Sequence, residues 1–162
     1  MQGEQVSYLK FVLMTFTAMG VMYGITYLNS YSALHIHWSE TRLYMTCLMG
    51  SAMMVIMLSF MRRMYKNFVL NMGIFGVSAA VFLVAFWLMR SQVLVDDVSY
   101  MKAMIPHHSI AILTSERAKI KDPRVRKIAD KIIEGQTREI REMEWLIKDI
   151  RSRGIAATKL EE

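Results

Sequence analysis

The sequence predicts an all-α protein: three transmembrane helices followed by a two-helix antiparallel hairpin. Three observations lead there. Uncharged apolar runs recur three times before residue 90, an amphipathic charge-rich pattern follows from Arg90, and Asp122-Pro123 interrupts that pattern near its middle.

The apolar runs come first. Phe11 to Leu28, Leu43 to Met61 and Phe68 to Met89 hold 18, 19 and 22 residues without a charge. At about 1.5 Å per residue each approaches or exceeds a hydrocarbon core roughly 30 Å thick. Backbone groups in lipid must be paired within the segment, so each run has to be a helix. Tyr8, Tyr27, Tyr31, Trp38, Tyr44, Tyr65 and Trp87 fall near the run ends, where amphipathic rings favour the interface. The first run is longer than a signal-peptide core, which makes it a retained helix. Residues 1–90 thus read as a membrane domain with spans near 11–28, 43–61 and 68–89. Residues 91–154 read as a hairpin domain and 155–162 as a tail.

Charge sets the expected orientation. Arg62, Arg63 and Lys66 crowd the loop between the second and third spans, whereas Asn29 to Arg42 carries only Arg42 as a basic residue. The positive-inside rule puts the first loop and the amino terminus in the cytoplasm. The hairpin then lies on the periplasmic or extracellular side of the cell (inner) membrane. The net charge of +6 does not imply nucleic acid, because basic and acidic residues alternate along the hairpin as on a solvated helical face. The bilayer is the expected partner. A single cysteine, Cys47, excludes an intramolecular disulfide. The 16 methionines form stripes at Met45, Met49, Met53 and at Met54, Met57, Met61, Met64. These read either as a soft-metal path or as flexible apolar filler.

In the hairpin, Asp96 or Asp97 is the expected cap of a helix running to about Ile120, with Pro106 inside it. Asp122-Pro123 reads as an N-cap followed by proline at the first helical position, opening a helix that ends at Gly154. The short connection makes the helices antiparallel, mirrored about residue 121 or 122. That pairs His107 with Gln136, Met104 with Glu139, and Met101 with Glu142 or Met143. The expected inward seam of the second helix is Ala129, Ile132, Gln136, Glu139, Met143, Leu146 and Ile150.

Two polar residues thus interrupt an apolar seam at the level of Met104, His107 and His108. Buried polar groups are costly unless paired. One reading is a structural network of histidine with glutamine or glutamate. A second is a metal site, where imidazole and thioether without cysteine suit Cu(I), or silver by the same softness. A third is acid–base chemistry, for which no nucleophile or pocket motif is present. A di-iron site needs Glu-x-x-His, but Met104 and Ile105 stand three before the histidines; zinc-protease H-E-x-x-H is also absent.

The stretches Y-M-K-A-M-I-P-H-H-S-I-A-I and D-P-R-V-R-K-I-A-D-K-I-I-E-G-Q-T-R-E-I-R-E-M-E-W-L resemble the CopM-like family of domains of unknown function, catalogue number 305. The resemblance covers about Asp96 to Ile150. It implies a ferritin-like half-bundle, an extracytoplasmic setting and an association with copper. Carried over by position, the metal candidates are Met104, His107, His108 and Met143. Gln136 and Glu139, with Met101, stand as seam partners or outer-shell residues. Relatives often carry a further methionine where this chain has Thr114.

A hairpin of some 60 residues buries little by itself. The resemblance implies a four-helix bundle made of two such hairpins, so the expectation is a homodimer that completes it, or else packing of the hairpin against the membrane spans. His35 and His37 in the external loop are possible accessory ligands, or ordinary interfacial histidines beside Trp38. The expectation is a membrane-anchored, extracytoplasmic Cu(I)-binding protein that sequesters or passes on metal and is not an enzyme. Its alternative is a non-catalytic, membrane-bound helical interaction module with a structural His/Gln/Glu network. A transporter would need several chains, since no charge lies at the centre of any span.

Overall fold

The structure is a computed structural model describing residues 2–156, with side chains from Ser7 onward. Its long elements are helices: α1 Gln2–Ile25, α2 Glu40–Phe60, α3 Phe68–Ser91, α4 Asp97–Arg117 and α5 Pro123–Arg153. A 3-10 turn, Ala33–His35, lies between α1 and α2, and no strand occurs among the described residues. The chain is all-α. Residues 157–162 of the expected tail lie outside the described residues.

The chain divides into two compact units. The first holds the chain up to Thr26 together with Thr41–Leu94; the second holds Tyr27–Glu40 and the chain from Val95 onward. The loop between α1 and α2 therefore groups with the hairpin, which its sequence alone does not reveal.

Among the described residues three helices are long and apolar enough to cross a membrane: Ser7–Ile25 within α1, Glu40–Phe60 and Phe68–Ser91. α1 runs through Lys10, since one charged residue ends an apolar run but not a helix, and it stops at Ile25 rather than Leu28. Asn67 caps α3, its side-chain oxygen accepting from the Leu70 amide at 3.1 Å. α3 ends at Gln92, a left-handed residue (φ 53°) whose amide donates to Leu88 O. Phe68, Val69, Val77, Leu83 and Trp87 stay exposed along it, a surface suited to lipid rather than water.

Tyr8, Phe11, Leu58 and Tyr65 form the core of the first unit, with Met54, Met57 and Met61 packed around it. Three methionines of that stripe are thus packing material, while the fourth, Met64, is exposed. A Cβ on Gly50 would fall 2.4 Å from Met19 Sδ, so α2 presents glycine where α1 lays a side chain across it. Tyr8 donates its hydroxyl to Asn71 Oδ1 at 2.9 Å and accepts from the Asn67 amide at 3.1 Å. Asn71 in turn donates to Tyr65 O at 2.8 Å. This network is closed.

In the second unit Asp96 caps α4 by accepting from the Ser99 amide at 2.7 Å, and Asp122 caps α5 with Pro123 in its first turn. Hydrogen bonding to the backbone amide stabilises the carboxylate of Asp96 and holds its pKa below the usual range. α4 stops at Arg117 rather than Ile120 because Ala118 turns extended. Pro106 is accommodated inside α4 as a fully buried ring.

Met101, Ile105, Ile112, Ile140 and Ile147 form the hairpin core, joined by Val98, Ile133, Met143, Leu146 and Ile150. This corrects the expected seam. Ile133, Ile140 and Ile147 take the inner positions, Ile132 is exposed, and Glu139 stands at the seam's edge. Both sets repeat every seven residues and share Ala129, Gln136, Met143 and Ile150, so apolar periodicity alone left the phase ambiguous.

Candidate functional site

Adjacent residues of an α-helix point about 100° apart, so His107 and His108 cannot both face the hairpin seam. His107 is exposed and His108 half-buried, with the rings edge to face and their centroids 6.2 Å apart. His108 Nδ1 lies 3.2 Å from Glu139 Oε2 without the alignment of a hydrogen bond. Gln136 Nε2 donates to the same carboxylate oxygen at 3.3 Å. The pairing expected from the sequence is therefore displaced by about a turn: Glu139 meets His108, not Met104. Burial lowers the His108 pKa; Glu139 opposes that shift and His107 adds to it. The ring is thereby biased toward its neutral form, which has a lone pair to offer.

The methionines divide by depth. Met101 is in the core, Met143 packs against that core, and Met104 is half-buried. Met101, Met104 and His108 share one stripe of α4 by their spacing of three and four residues. Among the described residues no three His, Cys, Asp or Glu side chains gather closely enough to hold a metal ion. His108 turns Nδ1 toward Glu139, while of the two thioethers on its stripe Met101 is buried in the core and Met104 is half-buried.

The opposite flank holds the other two histidines. Ser109, fully buried, accepts from the Tyr31 amide at 2.7 Å, and its hydroxyl lies 2.9 Å from His35 Nδ1. Tyr27 donates its hydroxyl to His37 O at 2.8 Å, and Ser99 Oγ donates to Glu40 Oε1 at 3.3 Å. The contacts of Ser109 and Ser99 seat the loop Tyr27–Glu40 along α4, and the Tyr27 bond braces the loop itself. Burial lowers the His37 pKa, opposed by Glu144, and its Nε2 is buried without a hydrogen-bond partner. Beside the loop runs an open groove of about 390 Å³ lined by Tyr31, His35, Ile112, Thr137, Arg141 and Glu144, among others.

His35 thus serves Ser109 with the same ring whose donors were expected to be accessory ligands. No direct contact joins His35 or His37 to the His108–Glu139 pair. Ser109 is the functional-looking residue that sequence reading missed, though a signal existed. It falls in the apolar phase of Ile105 and Ile112, where a hydroxyl needs a partner.

Residues 97–159 match the family described as a domain of unknown function, DUF305. The chain is also 31% identical over 127 residues to "Uncharacterized protein L153" of Acanthamoeba polyphaga mimivirus, across 75% of this chain and 78% of that protein. The chain belongs to the DUF305 family. The likeness to L153 is too long to be confined to the DUF305 segment and must reach well back before residue 97. No solved structure matches the chain. In the DUF305 segment, then, His108, Gln136 and Glu139 form the polar cluster, on a scaffold of α4 and α5.

Proposed function

We propose that this DUF305 protein is a membrane-anchored, extracytoplasmic Cu(I)-binding protein that sequesters or hands on the ion without turnover chemistry. One observation carries the reading: His108 faces a carboxylate that is itself tethered by Gln136. A carboxylate at Nδ1 favours the proton there and leaves Nε2 as the donor, the usual outer-shell device for a metal-binding histidine. Met104 would add thioether character from the same stripe, with Met101 and Met143 behind it and His107 at the solvent side. Thr114 stands where CopM-like relatives often have another methionine, so the site has fewer sulfur donors than theirs.

Orientation and assembly belong to the same proposal. The loop with Arg62, Arg63 and Lys66 is taken as cytoplasmic by the positive-inside rule, which leaves the hairpin outside the inner membrane. A homodimer through the hairpin is supported by Val125, Ile128 and Ile132, exposed at helical spacing on the α5 face that also bears Glu139. A second copy on that face would shield the cluster and offer further ligands, making a ferritin-like four-helix bundle.

A rival reading has its own support. The cluster supplies two histidines and one nearby carboxylate but no grouping of three hard donors among the described residues, as befits a structural network in an interaction module. Titration of the full-length protein with Cu(I) against a chromophoric chelator separates the two. Stoichiometric uptake lost in His108→Ala, and weakened roughly 10–100-fold in Glu139→Gln, is expected. Equal weak uptake by all three proteins would leave the interaction module.

A further inference from the structure

The first unit carries a second groove, of about 330 Å³, between the α2–α3 loop and the start of α3. Arg62, Lys66, Phe68, Met72 and Phe75 line it, with Asn71 and buried Tyr65 behind. Its polar chemistry is one-sided. Asn71 is occupied at both ends of its amide by Tyr8 and Tyr65 O, and the charged side chains of the lining are the two cations, Arg62 and Lys66. Among the described side chains of this unit there is no carboxylate. The Arg62 guanidinium sits 5.7 Å from the centre of the Phe75 ring, a cation–π contact that positions it above an apolar floor.

The apolar part is equally directional. Phe68, Met72 and Phe75 are spaced four and three residues apart, so they form a strip along α3 about 10 Å long. Phe68 and Met72 are exposed. The strip starts at the cations and runs down a helix long and apolar enough to cross a membrane. A soluble anion would use the upper end of this groove and leave the strip wet. A molecule with an anionic head and a hydrocarbon chain would use both.

We propose that this groove is a binding site for an anionic phospholipid, its phosphate held by Arg62 and Lys66 and an acyl chain laid along Phe68, Met72 and Phe75. The site is independent of the copper reading. It requires only that α3 spans a bilayer, and it makes the basic loop a headgroup clamp as well as a topological signal. A basic residue near an anionic headgroup contributes roughly a fivefold preference.

The test uses the full-length protein in phosphatidylcholine vesicles doped with spin-labelled phosphatidylglycerol or spin-labelled phosphatidylcholine. The measured quantity is the preference of the motionally restricted sites for the anionic lipid. Arg62→Gln and Lys66→Gln should each lower that preference roughly fivefold, and the double variant should bring it close to one. Both side chains are exposed, so the single variants keep the measurement standing if the double variant misfolds. Arg90→Gln, at the other end of α3, should leave the preference unchanged. An equal loss in Arg90→Gln would mean a diffuse charge effect and overturn the proposal. So would an undiminished preference in the two single variants, or displacement of the lipid by inorganic phosphate at constant ionic strength.

Discussion

Each unit of this protein holds a small polar network among apolar side chains, and the two networks differ in how they end. In the first unit Tyr8, Asn67, Asn71 and Tyr65 O consume one another's donors and acceptors. In the hairpin, Gln136 and Glu139 lead to His108, whose Nδ1 is left without a well-formed hydrogen bond. Polar groups away from water cost free energy when unpaired. A closed network therefore reads as architecture, while in the open one Nδ1 is buried against Glu139 and the ring's other nitrogen, Nε2, is the atom left to bond something else. The contrast separates a structural asparagine from a candidate ligand histidine without recourse to residue type.

The largest expected effect tests the frame that holds the open network. Ile105 is fully buried in the hairpin core, and Ile105→Ala should cost roughly 2–5 kcal/mol in the urea unfolding of the second unit. Next comes the closed network. Tyr8→Phe or Asn71→Leu should each cost about 1–3 kcal/mol by stranding a partner. The double substitution should cost clearly less than their sum, measured as thermal unfolding in detergent. Additive costs would mean that the network is not a closed unit.

Acidification should act on one unit and spare the other. His37 and His108 both have folded-state pKa values below the ordinary one, so the unfolded chain binds protons first as pH falls. Their contribution is fully present above the ordinary histidine pKa, and it fades as pH drops through the lower folded values. Hydrogen exchange at pH 7 and pH 5 should show earlier opening in α4 and α5 but not in α3. Unchanged protection of the hairpin would contradict the burial of those rings.

The smallest effect is the sharpest probe of the open end. Glu139→Gln should change stability by less than about 1 kcal/mol, since the carboxylate is half-exposed. It should nevertheless lower the His108 pKa further, because Glu139 is the group that opposes the burial shift. An NMR titration of the ring reads this directly.

Much of the fold was legible because it rests on coarse physics. Uncharged runs long enough to cross lipid, the Asp122-Pro123 start and the Gly154 stop each require only local reading. The phase of the hairpin was not local. Ile132 and Ile133, or Leu146 and Ile147, are equally apolar neighbours, and packing against α4 decides which turns inward. That choice carried the site with it, moving Glu139 to the edge and selecting His108 over His107. The seating of the α1–α2 loop on Ser109 was still less accessible, because it joins residues 78 positions apart through single hydrogen bonds.

That seating has a practical outcome for anyone handling the hairpin in isolation. A fragment starting at Val95 would leave behind the strap from Tyr27 to Glu40 and would strip the Ser109 hydroxyl of both its neighbours. Water would enter beside Ile112 and Ile140, and the excised piece would resemble a book without one of its covers. The smallest faithful soluble version therefore has to splice that strap, by a linker, onto the helices it covers.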